Sequence, residues 1–241
     1  MPTDIAMTAA PASHPWPARR FLAWCRMAWT MFMRNPFRLL GLAVLPMLVE
    51  AILQAGVPVL GVVLSKLVVP LASMWALLMV DQRCRTGVFA PAAALRRLAA
   101  RPGAALALAL LATAVFAVQM ALAVLIVGPQ PALAIATGDA SGLDGVSRAQ
   151  VSLVLASGLP MALLLLFTVP RVLLERRPLA ASLVENLRLV AIGWRPVLVY
   201  LLLSVALVGG LVFQPWLLLP ALLLGYVSYW AYRDAFAADA G

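Results

Sequence analysis

The amino-acid sequence predicts an all-α polytopic membrane bundle of about six transmembrane helices, with three amphipathic helices along its cytoplasmic face. Three observations carry this. The chain of 241 residues is 64% hydrophobic and only 11% charged, with a mean hydropathy of +1.00, which is more apolar surface than one water-soluble core can hide. Its apolar runs approach the roughly 20 residues that a helix needs to cross the hydrocarbon layer. Its basic residues alternate with those runs so that nearly all fall on one side.

Residues 1–18, MPTDIAMTAAPASHPWPA, are rich in Pro and Ala and lack the continuous apolar stretch of a secretory signal. They read as an uncleaved, disordered cytoplasmic tail. A single six-span domain follows over 19–236, then a short tail at 237–241. In the first amphipathic segment Phe21, Trp24, Cys25, Ala28 and Phe32 share one helical face, with Arg20, Arg26 and Thr30 turned elsewhere. Spans one and two are expected at 37–56 and 58–80. The second segment, FAPAAALRRLAARPG, has Pro91 where a helix start tolerates it, and leads into span three at 103–127. Span four is expected at 149–170. In the third segment Leu179, Leu183 and Leu187 form a stripe opposite Ser182, Glu185 and Arg188. Spans five and six, 197–213 and 214–231, are separated only by FQPW, so they form a tight helical hairpin or a re-entrant pair. Pro46, Pro70, Pro160 and Pro220 lie inside the runs and predict kinks.

Orientation follows from the basic residues. Five arginines precede span one (Arg19, Arg20, Arg26, Arg34, Arg38) and five separate spans two and three (Arg83, Arg85, Arg96, Arg97, Arg101). Five more separate spans four and five (Arg171, Arg176, Arg177, Arg188, Arg195), and Arg233 follows span six. Only Arg148 sits in an opposite loop, and Lys66 lies within a span. The positive-inside rule puts both termini in the cytoplasm of a bacterial inner membrane. Trp24, Trp29, Trp194 and Trp230 near the inner boundary read as an interfacial belt. The even spread of arginines points to the bilayer and its anionic lipid headgroups as partners, with a cytoplasmic protein as a further candidate, and argues against nucleic acid. Cys25 and Cys84 both fall on the cytoplasmic side, where no disulfide is expected. The single histidine, His14, excludes a histidine metal cluster.

An arginine followed by proline precedes each outward span, as MFMRNPFRLLG, LAARPGAALAL and AIGWRPVLVYL. Because the residue before proline avoids the helical region, the step ends the surface helix and turns the chain into the bilayer. The result is one plan used three times: surface helix, turn, outward span, inward span. The inward spans share SMWA at 73–76 and SYWA at 228–231, which supports a threefold internal repeat.

Arg34-Asn35-Pro36, Ser182 with Asn186, and Tyr229 with Tyr232-Arg233-Asp234 resemble the motifs of an uncharacterised family of bacterial six-span inner-membrane proteins. The resemblance runs from about Phe21 to Phe236, and departs from the pattern at Ala231, where a serine is expected. It implies location and fold, and lends no activity.

Two sets of residues are candidate sites. Glu50 and Lys66 lie about 9 and 12 Å below the same outer boundary at 1.5 Å per residue, and Gln119 enters span three at similar depth. They are either a polar site for a small-solute or ion transporter or channel, or a structural pair that fixes helix register. At the cytoplasmic side Asp81, Arg83, Arg85, Arg171, Glu175, Arg233 and Asp234 end the inward spans. They read as a converging ion-pair ring that docks a protein or a lipid headgroup, or as helix-end anchors. The loop GDASGLDG lacks the ligand spacing of a calcium loop and reads as a flexible polar turn. Small residues four apart, Ala105 with Ala109 and Ala117 with Ala121, suit close helix packing. No phosphate-cradling loop, nucleophile elbow or metal-ligand cluster is present. The expectation is a non-enzymatic scaffold or interaction component with no cofactor, the transporter or channel being the alternative.

Overall fold

Proline decides where the helices of this protein begin. The computed structural model describes residues 16–137 and 139–236, and every element among them is helical. After α1 (Arg19–Arg34), helices α2 (Pro36–Gly56), α3 (Pro58–Thr86), α4 (Pro91–Ala99), α5 (Pro102–Val127) and α6 (Pro129–Thr137) each start on a proline. Its missing N–H costs nothing at a first helical position. The preceding residues Asn35, Val57, Ala90 and Arg101 are held out of the helical region, with φ from −151° to −129° and ψ from 60° to 85°. Then come α7 (Arg148–Ser157), α8 (Leu159–Ala162), α9 (Thr168–Leu174), α10 (Leu179–Ile192), α11 (Trp194–Gly210) and α12 (Leu218–Phe236).

The third arginine-proline step departs from the expected turn. There the chain bends by 95° at Gly193, and Pro196 already lies in the first turn of α11. A Cβ at Gly193 would stand 2.5 Å from the ring of Trp16, so glycine is what lets the chain turn against that indole. Trp16 belongs to the core and packs edge-on against Trp24 with ring centroids 6.2 Å apart. Trp16, inside the segment read as tail, is therefore part of the fold. Residues 1–15, with His14, and 237–241 lie outside the described residues.

Four stretches among the described residues are long and apolar enough to cross a membrane: Pro36–Gly56, Leu64–Thr86, Pro102–Val127 and Arg148–Leu165. The bent pair Leu179–Ile192 and Trp194–Gly210 makes a fifth candidate. Predicted spans five and six map onto α11 and α12. The first of these has 17 residues, and the second carries Tyr229, Tyr232, Arg233 and Asp234 on its last turns. Only 11% of the apolar windows of α2 and α5 is buried, and Ile52 and Leu125 are 70% and 82% exposed. An apolar perimeter of this extent suits hydrocarbon rather than water.

The main core gathers at the arginine-rich end. Helix α1 lies across α12 there, burying Phe21, Trp24, Ala28, Met31 and Phe32. Trp24 is fully buried, so it is a core residue and no part of an interfacial belt; Trp29 and Trp194 are about half exposed. Ala105 and Ala109 pack beside Met74, Leu108 and Val172, whereas Ala117 and Ala121 are exposed. Helix α10 turns its polar face inward: Ser182 and Asn186 are buried, and Val184 and Leu187 are exposed.

Pro46 and Pro70 sit within unbroken helices, while the stretch holding Pro160 breaks. Between α8 and α9 a 3-10 turn, Leu163–Leu165, leaves backbone groups without helical partners. Asn186 caps the break: its Oδ1 accepts from the N–H of Phe167 at 2.8 Å, and its Nδ2 donates at 3.0 Å to the carbonyl of Leu163, which also accepts from the N–H of Leu166 at 3.2 Å.

Candidate functional site

The last turns of α3 and α12 meet α1, α4, α9 and α10 at the arginine-rich end, and there the charged residues sort into two clusters. The first surrounds Asp81, whose side chain has 0% exposure. Arg85, one turn further along α3, donates through Nε at 3.0 Å, and the hydroxyl of Tyr229 donates at 3.2 Å. Nη1 of Arg97 from α4 stands 3.6 Å away, and Nη1 of Arg233 from α12 stands 3.8 Å away. One carboxylate thus faces three guanidiniums, an excess of two positive charges. The side chains of Arg85, Arg97 and Arg233 are 51%, 37% and 38% exposed, so that excess is presented to the surroundings.

The second cluster surrounds Arg171, only 4% exposed. Its guanidinium binds Glu185 of α10 through Nη2 at 2.5 Å and Nε at 3.0 Å, pairs with Glu175 one turn on, and lies 4.0 Å over the ring of Phe236. Tyr232 donates its hydroxyl to Glu175 at 2.8 Å. Here one guanidinium faces two carboxylates, so the balance is reversed. A neutral pair completes the end: Asp234, 7% exposed, accepts from Trp24 Nε1 at 2.8 Å and meets Arg20 Nε at 2.6 Å, fixing α1 to α12.

A single converging ring is therefore replaced by two oppositely biased clusters on either side of α12, linked by Tyr229 and Tyr232. Arg83 stands apart. It donates to the carbonyl of Gly87 at the end of α3, where Gly87 takes the left-handed φ of 76° that closes the helix, and its guanidinium lies 5.7 Å from the Phe89 ring. Sequence reasoning missed Arg97, Glu185, Arg20 and Trp24 as cluster members. Glu185 had a signal, being the acid opposite the leucine stripe of α10.

Toward the other end, Glu50 and Lys66 approach to 2.5 Å. Gln54 donates to the same carboxylate at 3.2 Å, and the ammonium of Lys66 lies 4.4 Å over the Phe116 ring. Gln119 is not brought to this pair. Its amide donates to the carbonyls of Val154 and Leu155 at 3.0 and 3.3 Å, tying α5 to α7. In the connecting loop Asp139 accepts from the hydroxyl and N–H of Ser141 at 2.6 and 2.9 Å, and these bonds hold its carboxyl below the usual carboxylate range. Among the described residues no three His, Cys, Asp or Glu side chains converge to hold a metal ion.

Compared with protein-family models, curated proteins and solved structures, this chain matches none.

Proposed function

We propose that this is a non-enzymatic bacterial inner-membrane protein, crossing the bilayer six times with both termini in the cytoplasm, whose arginine-rich cytoplasmic face holds anionic partners. The observation that carries the reading is the Asp81 cluster: a fully buried carboxylate positions three guanidiniums that remain between a third and a half exposed. Half-exposed arginines held in place by a buried counter-charge are arranged to take phosphate oxygens, which guanidinium binds through paired N–H groups. The first partner is the anionic headgroup layer, and an acidic surface of a cytoplasmic protein is the second.

The positive-inside bias supports the orientation. Six crossings are supported by the return of α12 to the end where α1 begins, through Asp234 with Arg20 and Arg233 with Asp81. The threefold plan draws on the two like proline starts of α2 and α5, each after a residue near φ −145° and ψ 60°. The resemblance to six-span inner-membrane proteins points the same way.

The test is extraction of the wild type and of an Arg85→Ala, Arg97→Ala variant from native membranes in polymer-bounded discs. The variant is expected to lose the enrichment in anionic phospholipid and any acidic protein carried with the wild type. An unchanged lipid and protein complement overturns the reading.

A further inference from the structure

Between α3, α5, α9, α11 and α12 lies a cavity of about 460 Å³. A smaller one of about 220 Å³ lies between α2, α3 and α12, and the two share Ser73, Leu77, Gly225 and Tyr229 as walls. The serine hydroxyls in these walls face their own helices: Ser73 donates to Val69, Ser204 to Tyr200 and Ser228 to Gly225, at 3.0, 2.7 and 2.7 Å. Tyr226 and Tyr229 donate outward to Leu39 and Asp81, so beyond the hydroxyl of Tyr200 the walls offer mostly hydrocarbon contact. Ser73 and Gly225, shared by both, are exposed, so the two spaces form a cleft open to the surroundings from which an acyl chain can enter. Tyr229 forms a wall of both cavities and donates to Asp81. Val80, in the wall of the smaller one, adjoins Asp81 in the chain. Hydrocarbon space and guanidinium cluster therefore meet at one tyrosine, with Arg85 and Arg233 each one helical turn beyond.

The geometry points to a single built site for an anionic phospholipid, one acyl chain entering the cavity beside Tyr229 and the phosphate resting on Arg85, Arg97 and Arg233. This rests on the proposed anionic-partner face and deepens it, from a general headgroup layer to one held lipid. The charge excess selects an anionic head, and the back-bonded serines select a hydrocarbon tail.

Gly225 offers the test, because a Cβ there meets nothing within 4 Å. Gly225→Leu fills the shared space without touching an arginine. The full chain is exchanged into detergent doped with phosphatidylglycerol or phosphatidylcholine, and bound lipid is counted by native mass spectrometry. Wild type is expected to retain one phosphatidylglycerol, with about tenfold preference over phosphatidylcholine at low salt from the three guanidiniums. Gly225→Leu is expected to lose it at an unchanged Tm, and Arg85→Gln with Arg97→Gln to lose the preference. Release by the arginine variant but not by Gly225→Leu overturns the built site and leaves the anionic face standing. Retention unchanged in both variants overturns both readings, and equal retention of the two lipids by wild type overturns the headgroup assignment. Unfolding of Gly225→Leu moves the cavity test to wild type, where excess free palmitate should displace the lipid; no displacement overturns the site.

Discussion

A carboxylate with no exposure needs counter-charge and hydrogen bonds to offset its lost hydration, and Asp81 has both from Arg85, Arg97, Arg233 and Tyr229. Asp81→Asn keeps the shape and removes the counter-charge, leaving three guanidiniums to repel one another. The expected loss is about 2–4 kcal/mol, toward the lower part of the range for a broken buried pair because the arginines are partly solvated. Thermal unfolding in detergent checks this, and salt should narrow the gap between variant and wild type; a Tm equal to wild type at low salt refutes it. Cys25 on α1 gives a pH-dependent test. Burial pushes its thiol up, so the folded protein holds that proton more firmly than the unfolded chain. The associated stability is complete below the usual thiol value of about 8.5 and is lost as pH rises through the raised one. In a Cys84→Ser background, maleimide should react with Cys25 more slowly than with a free thiol at neutral pH, and accelerate only beyond the free thiol's own rise. At this scale the sequence marks which residues carry charge. It cannot say that Arg83 turns to Gly87 while Arg97, from another helix, reaches Asp81, because that choice depends on how α3, α4 and α12 pack.

Among the elements, the helix starts were the most legible part, since proline acts through its own ring and the residue before it. The third step misled for an equally local reason: Gly193 precedes it by three residues and is the easier place to bend. The break in the fourth span was foreshadowed by Pro160, but what holds the broken ends lies on another helix. Asn186 does so through both ends of its amide. Its partner in the spacing, Ser182, is buried beside it and donates to the carbonyl of Pro178 at 2.9 Å. Of the leucine stripe of α10, Leu179 packs against the core beside Val172 and Leu187 is exposed. The buried polar face opposite it follows only when hydrocarbon is the surrounding medium. Asn186→Leu strands the Phe167 N–H and leaves the Leu163 carbonyl with only the N–H of Leu166, 3.2 Å away, for an expected loss of about 1–3 kcal/mol. Asn186→Asp keeps the acceptor for Phe167 and should lie between wild type and the leucine variant. Equal Tm values for the two variants would show that the bond to Phe167 contributes nothing.

For the whole molecule, hydropathy located the long helices because a membrane span needs length and apolarity and little else. Where those signals thin out, at the 17 residues of α11 and the polar last turns of α12, the spans become harder to read. Orientation rests on arginine placement alone, and labelling of single cysteines from outside intact cells tests it. Asp139→Cys, in the loop between α6 and α7, is exposed and should react with a membrane-impermeant maleimide. Native Cys25 and Cys84, on the arginine-rich side, should stay silent; labelling of either with Asp139→Cys silent would reverse the topology. The same assay separates a scaffold from a transporter. Glu50 and Lys66 pair with one another while Gln119 bonds α7, so the three are not gathered into one polar site. Glu50→Cys and Lys66→Cys should therefore label far more slowly than the Asp139→Cys control. Rates matching that control would mean water reaches the pair, and would give the ion pair a transport role in place of a structural one.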